Sequence, residues 1–254
     1  MRNLVYQYYL PYQGSDVRYN DSNKIAKWAQ IGIESARSYS ESIGAEYMLY
    51  DKKYLNASIN AFESFRLIFD PVFDDYDNVL LLDVDMIVNT TENIFDLASG
   101  DIAMVHEYGV TKRNPLPQAS FDKAWWNNYF YNMSTGIVSY ATRFLDPKFK
   151  WGKSKLYPNE PFAHYNGGLQ LWTKQGRLKA RKLFKRNGHD HFRSVTGKTE
   201  TPYLSMMLMH HKFDITELPI EWNKLNWQWQ SDGDYGKITH FNDVSKPMML
   251  THGK

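Results

Sequence analysis

Asp83 and Asp85 stand one residue apart, with Val84 between them, directly after Leu80, Leu81 and Leu82. Carboxylates at the end of an apolar run are costly to bury unless something binds them. Along an extended chain two such side chains point to opposite sides, but where a strand ends the chain can turn and bring both to one cation. Mg²⁺ and Mn²⁺ prefer oxygen ligands and commonly take one or two carboxylates together with substrate phosphates. A metal held in this way can neutralise a diphosphate and make it a better leaving group. The competing reading is a structural turn capped by aspartates. A second signal is "HYNGGLQLW" (164–172). The glycines Gly167 and Gly168 let a ligand approach the backbone, and the Asn166 amide can both donate to and accept from sugar hydroxyls. Alone, Asn-Gly-Gly reads as a turn or bulge.

Composition narrows what these residues can be doing. The chain has 254 residues, 43% of them hydrophobic and 23% charged, which is ordinary for one large globular domain. The formal net charge of +2 is too small to suggest a nucleic-acid partner. With no cysteine, disulfides, thiolate zinc sites and cysteine nucleophiles are excluded. Aromatic residues make up 16%, and rings with polar tips suit sugar or base stacking as well as core packing. "MRNLVYQYYLPYQ" is too short and polar for a signal peptide, and no apolar run is long enough to span a bilayer. The expected compartment is therefore the cytoplasm.

The elements that must position the site follow from periodicity. "LVYQYY" (4–9) reads as a strand, Ser22 to Ile43 as a helix capped by Gly44, and "AEYMLYD" (45–51) as a second strand. Ser58 caps an expected helix reaching Phe69, with Pro71 after it. "NVLLLD" (78–83) is a continuous apolar run, as a strand buried on both faces would be, and "DIAMVHE" (101–107) is another. Strand–helix alternation predicts a single α/β domain, Rossmann-like, with a mostly parallel central sheet flanked by helices. Ligands bind such sheets at the carboxyl ends of the strands, where Asp83 and Asp85 lie. Residues 108–160 form an irregular excursion suited to shaping a substrate site. "KQGRLKARKLFKRN" (174–187) reads as a basic helix with a solvated face, and "TPYLSMMLMHH" (201–211) as a helix with Thr201 at its cap and Pro202 in its first turn.

The order of an arginine helix ("ESFRLIF"), "YDNVLLLDVD" and then "NIFDL" resembles the donor-site half of nucleotide-sugar glycosyltransferases with the GT-A fold. It is most similar to the retaining family 8, the glycogenin and galactosyltransferase group. That resemblance implies that Arg66 approaches the acidic motif and the donor diphosphate; a structural salt bridge is the plain alternative. It makes "YNGGLQLW" the sugar-facing strand and places Glu200, in "TETPYLSMML", where the family has an acidic residue near the sugar. Thr201 stands where the family usually has glutamine. "LPIEWN" (218–223) is similar to the family's next strand and asparagine. In the tail, His240, Phe241, Lys246 and Pro247 fit the family spacing, while Asp243 and Met248 replace its glycine and tryptophan. By the same resemblance His240 is the third metal ligand and Lys246 a diphosphate contact.

The first strand departs from the family. Tyr6, Gln7 or Tyr8 could stack on or hydrogen-bond to a uracil, and core packing explains them as well. The resemblance implies a Mn²⁺- or Mg²⁺-dependent transfer of a hexose from a UDP-sugar donor to a glycan or other hydroxyl acceptor. Residues 1–107 would form the nucleotide half, and 108–254 the acceptor half with the closing tail. In a retaining reaction the leaving phosphate would accept the acceptor's proton; Glu200 is the base if the reaction inverts. A nucleotidyltransferase would show a Gly-rich phosphate loop after the first strand, where "LPYQGSDVR" offers only Gly14 and Arg18. A non-catalytic carbohydrate-binding protein would account for the aromatics alone.

Overall fold

A computed structural model describes residues 1–10, 25–107, 136–156, 163–226, 235–241 and 243–252. Its main sheet has six strands: β1 (Asn3–Tyr8), β2 (Glu46–Tyr50), β3 (Asn78–Leu82), β5 (Ile102–Val105), β6 (Leu169–Thr173) and β7 (Ile215–Leu218), in the order β2-β1-β3-β6-β5-β7. β1 is parallel to β2 and β3, and β5 is parallel to β7. β6 alone runs against both its neighbours. The expected mostly parallel sheet is therefore present, with one reversed strand at its centre.

Strand alternation sorts the core into two layers. Leu4, Tyr6, Val79, Leu81, Ile102, Met104 and Trp172 face one of them. Val5, Leu80, Leu82, Ala103, Val105, Leu169 and Leu171 face the other, where Ala36 and Tyr39 of α1 (Lys27–Ser42) cover them. β3 is buried along its whole length, as a strand sandwiched between helical layers must be. Gly44, at φ +67°, follows α1 in the left-handed conformation that glycine adopts without strain. α1 begins at Lys27 with Ala26 before it, later than the expected start at Ser22, which itself lies outside the described residues.

A second, three-stranded sheet joins β4 (Met86–Val88), β9 (Ile238–His240) and β8 (Lys224–Leu225). β4 follows the acidic turn and pairs antiparallel with β9, Met86 opposite His240.

Three local expectations are corrected. Ser58 does not cap a continuous helix: a 3₁₀ segment (Asn60–Phe65) leads into the short α2 (Arg66–Phe69). Buried Glu63 accepts the backbone N–H groups of Tyr54, Leu55 and Ala57, so the chain there follows that carboxylate rather than a regular helix. The Ser58 N–H instead donates to Asp190 at 3.0 Å. The basic stretch is helical only as α4 (Lys174–Leu183), which follows a helix, α3, over 136–144, and the next helix, α5 (Gly188–Thr196), begins beyond it. Its charges are only partly solvated: buried Arg177 donates to the carbonyls of Trp172, Phe73 and Tyr76, and Arg181 pairs with Asp74. Finally, α6 spans Glu200–His210, so Thr199 and not Thr201 precedes it. The Thr201 hydroxyl is engaged elsewhere, accepting the Gly167 N–H at 3.2 Å.

Candidate active site

The acidic pair occupies the turn between β3 and β4, and four elements converge on it. β6 starts where β3 ends, Leu169 opposite Leu82, and the Asp83 N–H donates to the Gly168 carbonyl at 2.8 Å. β9 delivers His240, and the Phe241 N–H donates to the Asp85 carbonyl at 2.8 Å. α1 lies directly on the turn: a Cβ on Gly32 would stand 2.0 Å from the Val84 carbonyl oxygen. Gln7 supports the turn from β1, its amide donating to the Asp83 carbonyl at 3.3 Å and accepting from Tyr47 at 2.8 Å.

One ligand atom each from Asp83, Asp85 and His240 lies within 4.8 Å of the others. His240 Nε2 is 3.3 Å from Asp85 Oδ1, and Lys246 Nζ is 3.1 Å from Asp85 Oδ2. A chain of amides fixes the imidazole tautomer. The Gly168 N–H donates to Asn166 Oδ1 at 2.9 Å, and that oxygen also accepts the Asn223 amide at 2.8 Å. Asn223 Oδ1 is thereby left facing His240 Nδ1 at 3.2 Å, and only a protonated Nδ1 can bond to it. In the neutral ring Nε2 turns a lone pair toward Asp85 Oδ1, 3.3 Å away, and the two repel unless a proton or a metal cation lies between them; the Asp85 charge favours the proton when no metal is bound. Two carboxylates and one imidazole suit Mn²⁺ or Mg²⁺, and an amide holding the far ring nitrogen is the usual way of orienting a metal-binding histidine.

The electrostatics agree. Desolvation and the charge of Asp85 push the Asp83 carboxyl up to about 7. Burial acts on Asp85 in the same sense, but His240 and Lys246 outweigh it and hold this carboxyl down at about 2. Burial would lower His240, yet the Asp85 charge prevails and raises it.

Two clefts meet at the acidic turn, sharing Asp83, Asp85, Ala61 and Lys246. One, of 320 Å³, is walled by Tyr8, Tyr9, Leu10, Trp28 and Val84. The other, of 560 Å³, is polar and is lined by Glu107, His164, Asn166, Gly168, Lys198, Glu200 and His240 among others. Glu200 is the first residue of α6, and burial pushes its carboxyl up.

The expected site residues therefore fare differently. Asp83, Asp85, His240, Lys246, Asn166, Gly168 and Glu200 come together, and Tyr8 and Val84 line the aromatic cleft. A Cβ on Gly168 would lie 2.7 Å from His240 Cε1 and 2.9 Å from Asp83 Oδ2, so glycine is required for the ligands to close in. Gly167 sits one step back, bonded to Thr201. Tyr6 points into the core against Phe73. Arg66 lines neither cleft: its Nε donates to Asp70 at 2.9 Å, and its guanidinium carbon lies 3.3 Å from the Tyr50 ring centroid. Gly14 and Arg18 lie outside the described residues, and of the excursion 108–160 only 136–156 is described. Sequence reasoning assigned no site role to Trp28, Glu107 or His164, and matched Asn223 only as the asparagine that ends "LPIEWN". Their part in the site depends on which distant segments meet there.

No family model matches the sequence, and neither does any curated protein. Among solved structures, a glycosyltransferase involved in glycosylation of the major capsid of PBCV-1 superposes over 99% of this chain and 98% of its own, with 10% identity and a TM-score of 0.53. Mouse xyloside xylosyltransferase 1 covers 95% of this chain and 98% of its own at 12% identity, but its TM-score of 0.48 is too low to support an argument. At such identity the likeness establishes architecture: the chain has a GT-A-like glycosyltransferase fold.

Proposed function

We propose that this chain is a metal-dependent glycosyltransferase that moves a hexose from a UDP-sugar to an acceptor hydroxyl with retention of configuration. The observation that carries the reading is the group Asp83, Asp85 and His240, with its tautomer fixed by Asn223, at the junction of an aromatic and a polar cleft. Mn²⁺ or Mg²⁺ held by these three side chains would supply positive charge to the donor diphosphate. The rest falls to the chain's own groups. Tyr8, Tyr9 and Trp28 offer ring faces and edges to a nucleobase. Lys246, steered by Asp85 and by the Trp28 ring 4.9 Å away, places an ammonium beside the leaving phosphate, where negative charge develops. Asn166 and Glu200 border the polar cleft that would hold the hexose. The capsid glycosyltransferase that shares the fold supports glycosyl transfer as the class of reaction. A cytoplasmic setting is consistent with this reading; among the described residues no helix is long and apolar enough to cross a membrane.

The test is calorimetric titration of UDP with and without Mn²⁺, on the native chain and on Asp85→Ala, followed by hydrolysis assays across UDP- and GDP-sugars. Metal-dependent UDP binding that disappears in Asp85→Ala is expected. A native protein that binds no nucleotide in the presence of metal would sink the proposal.

A further inference from the structure

Glu107 and His164 line the polar cleft, and the roles given so far use neither. They come from distant segments joined by an antiparallel bridge, His106 opposite Tyr165. That register sets residue 107 opposite residue 164, and the Glu107 N–H donates to the His164 carbonyl at 2.7 Å. Directly opposed residues in an antiparallel pair project to the same side. The side chains meet accordingly, His164 Nδ1 lying 2.6 Å from Glu107 Oε2. The imidazole is buried, while the carboxylate is 21% exposed, toward the cleft. Across that cleft, burial and, to a smaller extent, the Glu107 charge push the Glu200 carboxyl up, so the two carboxylates sense one another.

Glu63 and Glu217, enclosed carboxylates that line neither cleft, are structural. Glu63 holds three backbone N–H groups. Glu217 accepts from Ser154, Tyr165 and the backbone of residues 155 and 156. Glu107 is different in pairing with an imidazole at the edge of a substrate-sized cavity, and such a pair can both take up and store a proton.

We propose that Glu107, held in place by His164, accepts the proton of the acceptor hydroxyl; this rests on the glycosyltransferase reading above. As the acceptor oxygen bonds to the anomeric carbon on the face from which the diphosphate departs, as retention requires, the bond from that carbon to the diphosphate oxygen breaks and its electron pair leaves with the diphosphate. The hydroxyl proton passes to the Glu107 carboxylate, next to His164 Nδ1, and returns to solvent after product leaves. Glu107 is then a catalytic residue and His164 a positioning residue.

The test uses Mn²⁺-dependent UDP-sugar hydrolysis, in which water replaces the acceptor. E107Q should lower kcat by about 100-fold, within the usual contribution of a general base, with the donor KM and UDP affinity near native. Azide, a nucleophile with no proton to lose, should restore turnover of E107Q and yield the glycosyl azide. H164Q should lower kcat by about 10-fold, yet add nothing to E107Q in the double variant, because it acts through the carboxylate. E107D, which keeps the charge but shortens its reach, should fall between native and E107Q and serves if E107Q fails to fold. A raised KM with unchanged kcat would overturn the proposal, making Glu107 a sugar ligand only. Absence of azide rescue would overturn it as well, leaving the diphosphate as proton acceptor. Loss of metal-dependent UDP binding in the native chain would instead refute the glycosyltransferase reading, and the two failures are distinguishable.

Discussion

Asn223 touches no substrate-facing surface of its own, yet its replacement should be felt at the metal. In Asn223→Ala, His240 Nδ1 loses its acceptor at 3.2 Å, and the ring becomes free to rotate or to carry its proton on Nε2. The hydrogen bond alone is worth about 0.5–1.5 kcal/mol. A ring that spends part of its time in the wrong tautomer loses more, and changes to groups that orient metal-binding histidines typically weaken binding by about 10–100-fold, or about 1.4–2.7 kcal/mol. Since Asn223 is fully buried in this network, the upper half of that range is expected. The assay is Mn²⁺ titration by calorimetry, with circular dichroism to verify the fold. A double-mutant cycle with His240→Ala isolates the route: once the imidazole is gone, removing Asn223 should cost little further affinity. Native affinity in a folded Asn223→Ala would refute the tautomer reasoning. Additive losses in the double variant would show that Asn223 acts by some other path.

Other consequences follow from the same geometry. Gly168→Ala puts a methyl among His240, Asp83 and Met86, and should cost about 1–3 kcal/mol of overpacking, read as weaker Mn²⁺ binding and a lower Tm. Because Asp83 in the metal-free chain titrates at about 7, protons compete with the metal below that pH. Mn²⁺ affinity should therefore rise with pH through about 7, with His240, whose own pKa is raised, adding to the dependence, which should shrink but persist in Asp83→Asn titrated over the same range. Arg66→Ala should lower stability by about 1–2 kcal/mol through the lost Asp70 pair and Tyr50 stacking. A large fall in UDP affinity in that variant would instead give Arg66 the diphosphate role its sequence position suggests. Truncation before His240 removes the last residue of β9 together with Phe241 and Met249, which pack on Ile87 in a small separate cluster. Metal binding should disappear while most of the thermal transition survives, as followed by circular dichroism.

The described fold was largely legible because its signals are local. Continuous apolar runs marked the buried strands, and Gly44 marked the end of α1. The failures came where a distant partner overrides the local pattern. Ser58 and Thr201 both look like helix caps, but one is claimed by Asp190 and the other by Gly167, residues far along the chain. Arg66 is a separate case: its sequence position suggests a diphosphate contact, and in space it pairs with Asp70, a single helical turn away.

The sequence by itself determined the inventory: two aspartates closing an apolar strand, read from residue type and position, and an Asn-Gly-Gly segment with a histidine and a lysine in the tail, singled out by their resemblance to a family pattern. Only the tertiary structure decided how they act together. Register between β3 and β6 sets Gly168 against Asp83, register between β4 and β9 brings His240 to Asp85, and one antiparallel bridge joins Glu107 to His164. Proton placement on His240 depends on amides at 166 and 223, and the chemistry of a ring nitrogen follows from which atom it faces. Spacing along a chain carries no record of that direction, because side-chain orientation is settled only when separate strands pair and pack.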